Sequence, residues 1–165
     1  MTPADPTDPP ALHLNVPSGR AVPEPRIRTA FVRLCARLGL EAGEFSVTFL
    51  GDASIRRMNR EHLGHDWVPD VLSFALHDPD DPPVADIYVG LDQAARQAAD
   101  HGVPVEEELA RLALHGLLHT LGHDHPEDPA EREGSPMYRL QEEILSAVSP
   151  GSATPANPEV TEVNP

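Results

Sequence analysis

The sequence L-H-G-L-L-H-T-L-G-H-D-H, from Leu114 to His125, places three histidines at intervals that suit a single metal ion. His115 and His119 are four residues apart, so on a helix they share one face and lie about one turn apart. Gly122 tolerates the left-handed conformation of a helix C-terminus, so the chain can reverse there and bring His125 back towards the other two rings. The spacing therefore predicts a metal site with imidazole ligands at the end of a helix.

The donor set indicates which metal chemistry to expect. Histidine ligands with an open fourth position are typical of catalytic zinc, whereas structural zinc sites are usually closed and rich in cysteine. The chain has a single cysteine, Cys35, so the sequence favours one catalytic Zn²⁺ ion. The alternative is that His115 and His119 are ordinary helix histidines, while His123 and His125 cap the helix or face solvent. We favour the metal because buried rings need partners for their polar nitrogens, and one ion supplies them.

Gly122 bears on the choice of the third ligand, and Gly116 bears on whether the chain has a general base. His123 follows Gly122 directly and is expected to point away, so we rank His125 above it. The spacing of the histidines and this glycine also resembles the metzincin protease pattern H-E-x-x-H-x-x-G-x-x-H. Gly116 stands where those proteases carry the glutamate that takes a proton from water. A metal-dependent hydrolase of another substrate, such as a peptide, is therefore an alternative that Gly116 disfavours.

Length and composition indicate one domain. The 165 residues are enough for one core, and the proline-rich, polar ends predict disordered tails at 1–10 and 149–165 around a single domain at 11–148. Nothing near Met1 resembles an export signal, and no segment reaches the length of a membrane span. The sequence therefore predicts a cytoplasmic protein with no membrane partner, and a single cysteine agrees with a reducing compartment.

The charge is unevenly distributed along the chain. A net charge of -15 is unusual for a nucleic-acid enzyme, because binding to phosphates depends on basic side chains. From Arg20 to Arg60, however, eight arginines face four acidic residues, so this part is basic. Every basic residue is arginine, which suits bidentate contact with phosphate, although a GC-rich genome would produce the same bias without functional meaning.

Hydrophobic periodicity predicts alternating strands and helices. Residues 44–50 alternate apolar and polar side chains, as in a strand with one covered face. Asp52 and Asp92 are each expected to cap the helix that follows them, and Arg26 to lie on the polar face of the first helix. The predicted strands are 11–16, 44–50, 71–76 and 84–91, and the predicted helices begin at or near Pro25, Asp52, Asp92, Pro104 and Ser135.

Three blocks carry a resemblance to a known family. The segment from His115 to His125 resembles the H-G-x-L-H-L-x-G-x-D-H signature of the YbeY family, the bacterial endoribonucleases and rRNA maturation factors. Met58 to Ala75 is similar to the family's L-N-x-x-Y-R-x-x-D-x-x-T-D-V-L-S-F-P, and Ala85 to Val89 to its G-D-I-x-I. The blocks and their spacing cover roughly residues 11–148.

The resemblance implies an α+β fold with a four-stranded mixed sheet, about five helices and the metal site at the end of a central helix. It implies one zinc ion held by His115, His119 and His125, with Asp124 as a supporting residue and the strand Asp70 to Phe74 beside the cleft. The implied activity is cleavage of single-stranded RNA in maturation of the 3′ end of small-subunit rRNA and in ribosome quality control. The implied partners are ribosomal RNA and the small ribosomal subunit, with no DNA expected.

The chain departs from the family at one position that matters. The family often has an arginine implicated in RNA cleavage after the aromatic of N-x-x-Y-R, but Leu63 stands there in this chain. Arg60 is our candidate substitute for phosphate contact in catalysis, and Trp67 is the aromatic residue we expect to contact RNA. A ribosome assembly factor with a mainly structural zinc is the remaining alternative, which Leu63 and the acidic balance favour.

Overall fold

A computed structural model of the protein describes residues 8–123 and 129–148. The strands are β1 (Ala11–Asn15), β2 (Glu44–Leu50), β3 (Val71–Ala75) and β4 (Val84–Gly90). The helices are α1 (Glu24–Leu38), α2 (Asp52–Leu63), α3 (Leu91–His101), α4 (Val105–Thr120), α5 (Pro129–Arg132) and α6 (Pro136–Ala147). The α+β class is confirmed. The additional helix is α5, whose four residues are too few to show a helical period in the sequence.

The sheet is mixed, as expected, with strand order β1-β2-β4-β3. β1, β2 and β4 run parallel, and α1 and α2 lie in the connections between them because parallel neighbours need a long crossover. β3 runs antiparallel to β4 at one edge. Ile87 on β4 therefore has Val47 of β2 on one side and Ser73 of β3 on the other, and it is fully buried.

The central helix is α4. It packs against β3 and β4 and is surrounded by α1, α3 and α6. Ten of its sixteen residues are buried, so its position is fixed by packing on several sides. In residues 8–123 and 129–148, no helix is both long and apolar enough to cross a membrane.

The predicted caps of α2 and α3 are wrong, because Asp92 of α3 caps α2 and Asp52 of α2 pairs with an arginine side chain of α3. Asp52 is the first residue of α2, and its backbone N–H donates to Oδ2 of Asp92 on α3 at 3.1 Å. The Asp52 carboxylate instead accepts two hydrogen bonds from Arg96, at 2.9 and 3.0 Å. Asp92 also accepts from Arg20, and this set of donors lowers its pKa, with the Asp52 backbone hydrogen bond as the largest cause. Asp92 thus caps the start of α2, and Asp52 forms an ion pair with Arg96 of α3.

Arg26 is also placed differently from the prediction. Its side chain is only 9% exposed, with Nη2 3.9 Å from a carboxylate oxygen of Glu107 on α4. Burial lowers the pKa of Arg26, and the nearby Glu107 opposes that shift. The helical period correctly separates the faces of α1 but gives no sign that the start of α4 covers this side chain.

Candidate functional site

The histidine pair on α4 has the predicted geometry. His115 and His119 are partly buried, and their Nε2 atoms lie 3.1 Å apart. The ring planes are nearly perpendicular, at 79°, so the two nitrogens converge on one point at the edge of the core. The four-residue spacing therefore does bring both rings to the same face of the helix.

Gly122 ends α4 in a left-handed conformation, as predicted. α4 ends at Thr120, and Gly122 has a φ of 89°, in the region that favours glycine. Gly122 donates its backbone N–H to the carbonyl of His119, and His123 donates to the carbonyl of Leu118. These two bonds form a Schellman motif, which satisfies carbonyls that the helix leaves unpaired. The end of the helix thus lies within one turn of His119.

The rest of the predicted site is only partly described. His125 and Asp124 lie outside the described residues. Among the residues the structure does describe, no group of three His, Cys, Asp or Glu side chains could hold a metal ion, so His123 does not join the histidine pair. The site with three ligands therefore stays a prediction.

The two imidazoles are suitable as ligands of one ion. Zinc binds imidazole nitrogen at about 2.0–2.1 Å with tetrahedral geometry, which puts two ligand nitrogens about 3.3 Å apart. The observed separation of 3.1 Å between Nε2 of His115 and Nε2 of His119 is close to that value. Neutral imidazoles can fill two coordination positions in this arrangement.

Gln141 on α6 fixes the orientation of the first histidine. Its side chain is buried, with Oε1 2.8 Å from Nδ1 of His115 and Nε2 donating to the carboxylate of Glu142 at 3.1 Å. A carboxylate only accepts hydrogen bonds, so the amide must turn its NH₂ towards Glu142 and its oxygen towards His115. Nδ1 therefore carries the proton, and Nε2 presents its lone pair towards His119.

Arg111 holds Glu142 in place. Its Nε and Nη2 donate to the two carboxylate oxygens of Glu142 at 3.0 and 3.2 Å, and it also bonds Glu108 and Glu107. Burial by itself would lower the pKa of Arg111, but the hydrogen bonds to Glu142 and Glu108 outweigh it and raise the pKa. The guanidinium is thus permanently charged, and its role is to position the carboxylate behind Gln141.

The sequence analysis did not single out Gln141 or Arg111. Gln141 comes four residues after Met137 and three before Ile144, which puts a polar side chain on the buried face of its helix. Arg111 likewise interrupts an apolar helix. A polar residue on a buried helix face is the signal that would have found both, because such a group needs a specific partner.

A cavity of about 550 Å³ lies beside the histidine pair. Its lining includes His115, Gln141 and Tyr138, together with Asp70, which directly precedes β3. The carboxylate of Asp70 accepts a hydrogen bond from Gln97 at 3.2 Å. Of the segment Asp70 to Phe74, Asp70 lines this cavity, and the placement of the whole strand beside the cleft stays a prediction.

Arg60, the predicted phosphate contact, lies on α2 and is not among the residues that line this cavity. Its side chain is 53% exposed, and Nη1 is 3.7 Å from a carboxylate oxygen of Asp66. Arg56 donates to the same oxygen at 2.9 Å, and this hydrogen bond is the main reason that the pKa of Asp66 is lowered. The catalytic role of Arg60 stays a prediction.

Gly116 is explained by packing against the sheet. A Cβ at this position would lie 2.6 Å from Cγ2 of Ile87, 3.1 Å from Oγ of Ser73 and 3.2 Å from Cγ2 of Val71. α4 approaches β3 and β4 so closely that only glycine leaves room. The position that carries the general base in metzincins therefore faces the sheet, where a glutamate has no space.

Two partly buried histidines on a core helix, one of them lining a cleft with ionisable groups, make this the candidate active site of an α+β protein. The sequence model of the family described as endoribonuclease YbeY matches residues 21–149. The chain belongs to the endoribonuclease YbeY family.

Individual relatives and a solved structure agree with this assignment. A protein of Thermus thermophilus named endoribonuclease YbeY is 42% identical over 126 residues, which cover 74% of this chain and 88% of that relative. One of Persephonella marina with the same name is 33% identical over 135 residues, covering 78% and 86%. A solution structure of a Thermotoga maritima protein has a TM-score of 0.58 at 20% identity and covers 89% of this chain and 99% of that chain. This last likeness supports the fold alone.

Proposed function

We propose that this protein is a zinc-dependent endoribonuclease that cleaves single-stranded RNA, with His115, His119 and His125 as the ligands of one Zn²⁺ ion. Membership of a family named for endoribonuclease activity supports RNA cleavage. The single observation that supports the metal is the 3.1 Å separation of the two converging Nε2 atoms on α4. The predicted reversal at Gly122 gives His125 a route towards the same point.

The residues of the chain would bind and orient, and RNA would bring its own nucleophile. Gln141 keeps Nδ1 of His115 protonated, so the Nε2 lone pair is available to a metal. Zinc at this position would polarise a phosphodiester oxygen or activate water. RNA carries a 2′-hydroxyl beside each phosphate, so the absence of a glutamate at Gly116 is less damaging than it would be for peptide hydrolysis.

The substrate would be ribosomal RNA, bound with the help of the arginines of α2. Arg60 and Arg56 present exposed guanidinium groups on α2, where they could contact phosphate. We assign the protein to maturation of the 3′ end of small-subunit rRNA and to ribosome quality control, with the small ribosomal subunit as its partner. Because its substrate would be ribosomal RNA, the protein would act in the cytoplasm.

Removal of metal gives the direct test of this function. The protein should cleave single-stranded RNA, leave duplex RNA and casein intact, and lose its activity in the presence of a chelator. Gel electrophoresis of each substrate, with and without EDTA and after addition of Zn²⁺, measures the outcome. Casein cleavage would support the peptidase alternative. A zinc-containing protein that binds the small subunit but cleaves no RNA would support an assembly factor, the alternative favoured by Leu63, which is 48% exposed.

Gln141→Leu should weaken zinc binding by about 10- to 100-fold, the usual effect of removing a hydrogen-bond partner of a ligating histidine. Leucine keeps a similar volume among buried neighbours but cannot accept from Nδ1 of His115. Competition with a chromophoric chelator measures the affinity independently of activity. Gln93→Leu is the control, because Gln93 lies on α3 and accepts a hydrogen bond from Arg96 of the same helix. Unchanged zinc affinity in folded Gln141→Leu protein would rule out this orienting role.

A further inference from the structure

An exposed aromatic pair lies in the segment between α2 and β3. Trp67 is 57% exposed and stacks on the imidazole of His65, with ring centroids 4.4 Å apart and planes at 11°. It is the only tryptophan in the sequence. A tryptophan ring offers a large, rigid, flat surface, so one that packing leaves in solvent is well suited to stack on a ligand.

The segment that carries this pair is held firmly. The amide of Asn59, which is only 1% exposed, donates to the backbone carbonyl of Trp67 at 3.1 Å. The backbone N–H of His65 donates to the carbonyl of Asn59, and the intervening Asp66 is bonded to Arg56. Backbone and side-chain contacts thus fix Trp67 in its outward position, which limits the conformational entropy lost when a ligand binds.

The surroundings of the ring are basic. Arg56 and Arg60 lie beside the pair on α2, with side chains that are 51% and 53% exposed, and share the single carboxylate of Asp66. The hydrogen bond from Arg56 lowers the pKa of Asp66, and even with that carboxylate ionised the two guanidinium groups leave these three residues with a net positive charge. A stacking surface beside arginines suits an unpaired base with its phosphate. A binding site for an apolar protein surface would instead have apolar residues around the ring.

The pair is close in sequence to a residue that lines the cavity beside His115. Asp70 lines the same cavity as His115, and it follows Trp67 by three residues. Three residues of chain span at most about 11 Å. A single RNA strand with a phosphate at the histidine pair could therefore place a neighbouring base on Trp67.

We propose that Trp67, stacked on His65 and flanked by Arg56 and Arg60, is a stacking subsite for an unpaired base of the RNA substrate. The proposal rests on the proposed function, since it assumes an RNA substrate at the histidine pair. The subsite accepts any base, because every base has a π face and stacking requires no particular hydrogen-bonding edge. It excludes duplex RNA, whose bases are already stacked.

Intrinsic fluorescence tests the contact directly, because all tryptophan emission comes from Trp67. A single-stranded 2′-O-methyl oligoadenylate should quench the emission on titration, and a duplex of the same length should do so only weakly. The methyl group blocks the 2′-hydroxyl, and gel electrophoresis verifies that the probe stays intact. Emission that does not change while the oligonucleotide binds would overturn the proposal.

Substitutions separate stacking from general apolar contact. By anisotropy of the labelled oligoadenylate, Trp67→Ala and Trp67→Leu should each weaken binding by about 5- to 150-fold, while Trp67→Phe keeps most of the affinity. Val32→Ala, at another exposed apolar position on α1, should bind as the wild type does. Equal binding by the Leu and Phe variants would refute stacking.

The two proposals can fail separately. If Trp67→Ala binds the oligonucleotide as tightly as the wild type while the protein cleaves RNA, the stacking subsite is refuted and the proposed function stands. Quenching and loss of affinity in a protein that cleaves no RNA would remove the proposed function and leave a base-stacking site on an RNA-binding protein.

Discussion

His119→Ala is expected to lose its bound zinc and its RNA cleavage together. The substitution removes one of two Nε2 atoms that lie 3.1 Å apart, and alanine offers no other donor. Metal content should fall from stoichiometric to trace, as measured by atomic emission on purified protein. A bound metal contributes several kcal/mol to transition-state stabilisation, so kcat/KM on single-stranded RNA should fall by at least about a hundredfold.

His13→Ala is the matched control for this experiment. His13 lies on β1 with a side chain that is 55% exposed, and its ion pair to Glu44 is long at 3.8 Å. Its loss should change neither metal content nor activity. Circular dichroism and thermal unfolding establish that both variants are folded. Equal zinc content in wild type and His119→Ala would contradict a site built on the histidine pair.

Gly116→Ala is expected to destabilise the protein by about 1–3 kcal/mol, the typical cost of forcing extra volume into a packed core. At an open helix position, replacing glycine by alanine would stabilise the helix by about 1 kcal/mol, because alanine has the higher helix propensity. A net loss of stability in Gly116→Ala would therefore be due to the clash with Ile87. The added Cβ would lie 2.6 Å from Cγ2 of Ile87, a fully buried residue with a strand on each side. Either α4 or the sheet must move. Urea denaturation, read as a shift in midpoint at constant slope, measures the change.

Gly134→Ala tests whether the effect is specific to that contact. A Cβ on Gly134 would find its nearest atom, the carbonyl oxygen of Glu131, at 3.9 Å. Its free energy of unfolding should stay within about 0.5 kcal/mol of the wild-type value. Because α4 also carries the histidines, Gly116→Ala should weaken zinc binding as well. A Gly116→Ala protein as stable as the wild type would show that α4 does not depend on this close approach to the sheet.

Local patterns in the sequence determined much of the fold and part of the site. The alternation in residues 44–50 predicted β2 with its observed bounds, because a strand turns successive side chains to opposite faces. The spacing of His115 and His119 predicted their shared face, and Gly122 predicted the end of the helix, since both follow from backbone geometry over a few residues. The role of His125 stays a prediction from the same pattern.

Only the tertiary structure decided which residues distant in sequence cap or hydrogen-bond one another. Asp92 caps α2 from forty residues away, and Gln141 orients His115 from twenty-six residues away. Gly116 is required because a strand residue, Ile87, lies directly beneath it. A periodic pattern tells which face of an element is buried, but it does not tell what covers that face. The pairing of polar groups and the space left for each side chain therefore emerge only when the helices pack on the sheet.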